Sequence, residues 1–246
     1  MATSSGTQAG PGRAEGLQEG RAHLRGADPV LAGLIAERPD FDPRRWRIEL
    51  PPMDLFGALL FQVTGQQLSV AATRRALARI EARFGERLPT PAQVLDADPA
   101  QFRDAGLSWR KISTLRDLAQ RMTDGRLDPD ELATLTDDEL IAALTQVPGI
   151  GPWTAQGALI IALDRDDVVL PGDLALRKAI RATYGLDHLP AEEEVLAIAE
   201  QWRPYRSLAT AYLFSAAFNE VPDTAVRSEP SPGRPAKAGA EHLPEL

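Results

Sequence analysis

The first residues that could do chemistry lie in VPGIGPWTA, residues 147 to 155, where two glycines, a proline and a tryptophan share one short turn. Gly149 and Gly151 can take positive φ and present backbone N–H groups with no Cβ in the way. Where such N–H groups open a helix, they stand beside the positive end of its dipole and suit an anion such as phosphate. A plain connection between two helices would use glycines as well. Further along, Asp173 in LPGD precedes an apolar run, a position where aspartate ordinarily caps a helix. Asp164, Asp166 and Asp167 in DRDD suggest a metal cluster, but solvated loop carboxylates are the simpler reading. His23, His188 and His242 are scattered and carry no assignment. With no cysteine there is no disulfide framework, thiolate zinc site or Cys-ligated iron–sulfur cluster.

The elements that must position these residues read as helices. PMDLFGALLFQVTG is apolar on most faces and stops at Gly65, and Ser69 caps VAATRRALARIEARFG. Pro91 and Pro99 sit in the first turns of short helices, where the missing N–H costs nothing. Ser108 precedes WRKISTLRDLAQRM. Thr136 and Glu139 form a capping box ahead of Leu140, Ile141, Leu144 and Val147. PWTAQGALIIALD, apolar almost all round, predicts a buried central helix, with only PGIG to turn the chain before it and Ile150 pointing inward. Asp173 opens LALRKAIRATYG, PAEEEVLAIAEQW follows, and PYRSLATAYLFSAAF closes the fold. VVLP at 168–171 is the best extended piece and is very short. The expected class is all-α. Residues 1–26 read as a mobile arm, 27–224 as the helical domain and 225–246 as a Pro-rich tail, with both ends dispensable for catalysis.

Composition sets the outer limits. The 246 residues suffice for a sizeable core and are 43% apolar. No stretch reaches the ~18 continuous apolar residues of a membrane span, and the N-terminus lacks the apolar core of a secretory signal. With no such segment and no cysteine, a reduced cytoplasmic setting is the expectation. The net charge of −8 speaks against a nonspecific nucleic-acid binder, so a nucleic-acid reading must find its positive surface locally.

Four blocks together resemble one family. LTQVPGIGPWTAQGALIIALDRDDVVLPGDLALRKAI is similar to the helix–hairpin–helix core of the DNA glycosylase superfamily, and more narrowly to its 3-methyladenine DNA glycosylase II, AlkA-like branch. FQVTGQQLSVAAT resembles the helix–loop–helix that carries the DNA wedge. GLSWRKISTLRDLA resembles the branch's GLS-x-RK segment, and WRPYRSLATAYLF its W-[RK]-P-[YW]-R-S helix. The blocks run in family order over roughly residues 54 to 218. Too little chain precedes residue 54 for the β-rich domain of longer members, so the resemblance is to a short, bacterial-type form.

That resemblance implies a helical bundle of two subdomains with the active-site cleft between them. It also implies excision of alkylated bases, of the 3-methyladenine and 7-methylguanine type, from double-stranded DNA by a monomeric, nucleoid-associated enzyme. Asp173 takes the catalytic aspartate position, where its charge would favour an oxocarbenium-like sugar, and capping is compatible with that role. Trp153 stands where bifunctional relatives carry a Schiff-base lysine, which implies a water-using enzyme. Trp153 and Phe214 would wall a pocket for a cationic base, with Tyr212 a weaker candidate and core packing the alternative. Gln67 matches the wedge position, where the long form has leucine, and Leu68 could serve instead. Gly149, Ile150 and Gly151 would grip phosphate. Arg110, Lys111, Arg177 and Lys178, with Arg203 and Arg206, are candidates for the positive surface, although Arg206 could equally pair with a buried acid. No cofactor or catalytic metal is implied, with room only for a structural monovalent cation at the hairpin. Two other readings stand beside this one: a non-catalytic helix–hairpin–helix module, which needs neither Asp173 nor Trp153, and a glycosylase for other damaged bases, including an oxidised-base lyase that would lack its lysine here.

Overall fold

The computed structural model describes residues 11–42 and 53–219. The described elements are helices: α1 Pro11–Ala27, α2 Pro29–Glu37, α3 Leu55–Gly65, α4 Val70–Glu81, α5 Pro91–Asp96, α6 Pro99–Asp104, α7 Trp109–Thr123, α8 Pro129–Thr134, α9 Asp137–Leu144, α10 Pro152–Ala162, α11 Leu174–Tyr184, α12 Glu192–Ala199, a 3₁₀ turn Glu200–Trp202, and α13 Arg206–Asn219. VVLP forms no strand, and no strand occurs among the described residues.

Two apolar cores organise them. The first is built from α3 to α10 and includes Leu59, Leu60, Val63, Leu115, Leu118, Leu144, Ala158 and Leu159. Its axis is the packing of α3 against α10. Both helices are apolar on nearly every face, so burial on all sides is the arrangement open to them. Gly157 on α10 lets Gln62 of α3 approach closely, since a Cβ there would stand 2.2 Å from the Gln62 amide nitrogen. The second core joins the two ends of the chain: Leu24, Leu31 and Ile35 from α1 and α2 meet Leu176, Ile180, Trp202, Tyr212 and Leu213 from α11 to α13.

The helix starts follow local side-chain chemistry. Ser69, Ser108, Thr136 and Asp173 each accept a first-turn backbone N–H, and Glu139 completes a capping box with Thr136. Gly185 ends α11 at φ +66, in the left-handed conformation a helix end often adopts.

The expected mobile arm is corrected from Pro11 onward, because α1 is a helix packed into the second core. Leu24 is fully buried, and Gly20 faces the Leu208 and Tyr205 side chains, which a Cβ would approach to 2.9 Å. Arg21, also buried, donates from Nε to the Tyr212 hydroxyl at 2.9 Å and from Nη2 to the Phe41 carbonyl at 2.6 Å. A glycine and an arginine at inward-facing positions hide the apolar stripe from a reading by residue type. The segment also ends on a buried acid. Asp28 caps α2 by accepting the Val30 and Leu31 N–H groups on one oxygen. Its other oxygen accepts from Trp202 Nε1 at 2.8 Å, Gln201 Nε2 at 3.0 Å and the Tyr184 hydroxyl. Residues 1–10 of the expected arm and the expected tail at 225–246 lie outside the described residues.

Candidate active site and nucleic-acid interface

Asp173 ends the turn LPGD, where its N–H donates to the Leu170 carbonyl at 3.0 Å. Its two carboxylate oxygens do different things. Oδ1 accepts the Leu176 N–H at 2.9 Å and caps α11. Oδ2 accepts from the Trp153 indole Nε1 at 2.8 Å. Trp153 belongs to the first turn of α10 and Asp173 to the start of α11, so this bond joins a first-core helix to a second-core helix. Trp153 is 36% exposed and Asp173 half-buried. Capping therefore occupies one oxygen, while the other lies at the surface on the N–H edge of the indole. Leu174, next in the chain and 52% exposed, adds an apolar neighbour that reading by motif passed over. Its signal was a leucine off the inward stripe formed by Leu176, Ala179 and Ile180.

The turn is held by the segment before it. Arg206 donates to the Asp167 carboxylate at 2.7 Å, and Arg203 donates to the same group at 2.7 Å. Ser207 Oγ donates to the Arg165 carbonyl at 2.7 Å and accepts the Val168 N–H at 3.1 Å. Asp167 is thus an ion-paired anchor rather than a solvated loop charge, and Arg203 and Arg206 are engaged with it. Arg165 reaches back to the carbonyls of Ala133 and Leu135 at 3.1 and 2.9 Å, tying the loop to the first core. Among the described residues no group of three or more His, Cys, Asp or Glu side chains could hold a metal.

The hairpin runs from the end of α9 at Leu144 to Pro152. Gly149 sits at φ +94, and a Cβ there would lie 2.1 Å from Thr114 Oγ1. Gly151 is different: it precedes α10 at φ −96, with nothing within 4 Å of an added Cβ. As the residue before the helix it offers no side-chain cap to the first-turn N–H groups of α10. Ile150 points inward as expected, and its own N–H is spent within the turn. Its side chain is buried in the first core, and its N–H donates to the Val147 carbonyl at 3.0 Å.

Gln67 and Leu68 form the exposed tip of the α3–α4 loop, with Gln67 at φ +58 and Leu68 43% exposed. Four other expected site residues are redirected or distinguished by the structure. Tyr212 is fully buried in the second core and cannot face a substrate, while Phe214 is half-buried against that core. Lys111 is half-buried and donates to the carbonyls of Thr64 and Gln66, both at 2.8 Å, and burial holds its pKa below the ordinary lysine value. Arg177 donates to the Pro190 carbonyl at 2.7 Å. Arg110 and Lys178 are exposed, as are Arg75 and Arg79 on α4 and Trp109 beside Arg110.

A glycine hairpin between α9 and α10 marks a helix–hairpin–helix protein, and the Asp173–Trp153 pair joins its two helical bodies. The chain belongs to the HhH-GPD superfamily of base excision DNA repair proteins, whose model matches residues 62–204. It is 32% identical over 200 residues to DNA-3-methyladenine glycosylase 1 of Schizosaccharomyces pombe, covering 80% of this chain and 86% of that protein. It is 28% identical over 197 residues to DNA-3-methyladenine glycosylase 2 of Escherichia coli, covering 75% of this chain and 64% of that one. Its fold matches the structure of the S. pombe 3-methyladenine DNA glycosylase in complex with abasic DNA, with TM-score 0.74 and 31% identity over 81% of this chain and 97% of that one. A DNA-3-methyladenine glycosidase from Bacillus halodurans matches with TM-score 0.62 and 30% identity, over 79% and 92% of the two chains. No described helix is long and apolar enough to cross a membrane.

Proposed function

We propose that this chain is a monofunctional DNA glycosylase that flips alkylated purines out of duplex DNA and hydrolyses their bond to deoxyribose. The observation that carries it is the Asp173–Trp153 pair: one carboxylate oxygen held by the N–H edge of a partly exposed indole, with tryptophan where a lyase would need an amine. As the C1′–N bond breaks, its electron pair leaves with the base and the sugar becomes cationic. The Asp173 charge favours that state over the neutral ground state. Water then adds to C1′ and gives its proton to the carboxylate or to solvent. A purine alkylated at N3 or N7 carries positive charge and departs without strong acid catalysis, and the Trp153 ring attracts it as a cation.

Binding rests on the α10 N–H groups, offered to a backbone phosphate, and on local cations such as Arg110 and Lys178. Affinity should fall steeply as salt rises in spite of the net charge of −8. The chemistry uses water alone. A structural monovalent cation at the hairpin is compatible with this reading. The protein would work as a monomer in the cytoplasm, at the nucleoid. The test is to incubate it with duplexes carrying 3-methyladenine, 7-methylguanine, deaminated or oxidised bases and measure what is released, with borohydride present in parallel. Release of the methylated purines with no trapped adduct is expected. Release of oxidised bases alone, or a trapped complex, would overturn the assignment.

A further inference from the structure

The two loops that face DNA in the proposed function come from different parts of the chain, yet side chains join them directly. Gln66, just before the exposed tip, donates from Nε2 to the Gly149 carbonyl and to Thr154 Oγ1, both at 3.0 Å. Those acceptors lie in the hairpin and in the first turn of α10. Helix α7 reaches both loops from behind. Thr114 donates to the Pro148 carbonyl at 2.9 Å, and Lys111, one turn earlier, donates to the carbonyls of Thr64 and Gln66. Carbonyls at the end of a helix such as α3 lack partners within it, and an ammonium is favoured at that negative end. Thr114 and Thr154 are buried, so the joints are shielded from water.

We propose that Lys111 and Gln66 are positioning residues that lock the Gln67–Leu68 tip to the hairpin, so that both loops meet the duplex as one rigid edge. A wedge that enters a base stack must resist being pushed back, and the tip is a short loop whose residue Gln67 holds a left-handed φ of +58. With the hairpin anchored on phosphate, the lock passes the load of unstacking into α7 and α10. The Lys111 ammonium is spent on carbonyls and is not offered to phosphate. The inference rests on the DNA-glycosylase reading for its substrate, and on geometry alone for the lock.

The test compares wild type with Lys111→Met, Gln66→Ala and Arg110→Ala on three probes. These are a methylated purine in duplex, the same strand alone, and an undamaged duplex titrated across salt concentrations. Lys111→Met and Gln66→Ala should lose about tenfold in single-turnover release from the duplex, the scale of one charged or buried hydrogen bond. They should lose much less on the single strand, which needs no unstacking. The salt dependence of Lys111→Met should equal that of wild type, whereas Arg110→Ala should be shallower. Equal losses on both substrates, or a shallower salt dependence for Lys111→Met, would overturn the proposal. If Lys111→Met fails to fold, Gln66→Ala, which leaves the α3 carbonyls capped, carries the comparison. A wild type that releases no alkylated base would refute the enzymatic reading instead. The lock is then read from 2-aminopurine fluorescence in a bound duplex, which should rise with wild type and not with Gln66→Ala; an equal rise with both would overturn it.

Discussion

At the scale of single residues, the geometry of Asp173 accommodates both the observed cap and the proposed catalytic role. A carboxylate that caps a helix has an oxygen to spare, and here that oxygen meets the Trp153 indole at 2.8 Å. The indole N–H fixes the orientation of the group while part of the ring stays exposed. Trp153→Phe keeps the face and removes the N–H. Excision by that variant should fall about tenfold, the effect of one hydrogen bond to a charged group, with little change in melting temperature. Single-turnover release assays check this. A rate equal to wild type would mean that the indole N–H has no part in holding the carboxylate.

At the scale of elements, the two hairpin glycines have separate reasons to be glycine. Gly149→Ala combines an unfavourable φ with a clash against Thr114, and should destabilise the protein by about 3 kcal/mol. Gly151→Ala meets nothing and keeps an extended backbone, so stability should stay within about 0.5 kcal/mol while DNA affinity weakens through crowding of the α10 N–H groups. Denaturant unfolding beside DNA titration separates the two; equal stability losses would refute the distinction. The hairpin and the helix starts were legible because they depend on near neighbours: Ser69, Ser108, Thr136 and Asp173 each cap a turn within three residues. The basic residues were not legible in the same way. Lys111 looks like a DNA contact until Thr64, 47 residues away, is seen to receive its ammonium. The burial of Tyr212 was equally hidden, since its partner Arg21 lies 191 residues back in a segment without an evident apolar pattern.

At the scale of the whole molecule, α1 and α2 close the second core around the helix that carries Asp173. Removing residues 1–27 strips Leu24 and Arg21 from that core. The melting temperature should drop by roughly 10 °C, from the loss of a few kcal/mol of burial and bonding. An unchanged melting temperature would return the segment to the status of a dispensable arm. Tyr184 gives the same core a pH signature. Burial first, and then its bond to Asp28, push its hydroxyl well above the ordinary value of 10.0. A raised value in the folded state means that this stabilisation is complete below pH 10.0 and is lost as pH rises toward the folded value. Stability should therefore decline above that pH in wild type. Tyr184→Phe should be less stable at neutral pH and show a shallower alkaline decline, followed by thermal melts across the alkaline range.

The Asp173 charge, rather than its capping bond, should drive base release. Asp173→Asn keeps the shape and an oxygen to cap α11, so it should fold normally and bind methylated duplex with wild-type affinity. Without the charge, single-turnover release of the methylated purine should fall by about 10² or more, as when one electrostatic stabiliser is removed from a transition state. Near-normal release by a folded, DNA-binding Asp173→Asn would contradict the claim and leave Asp173 as a helix cap alone.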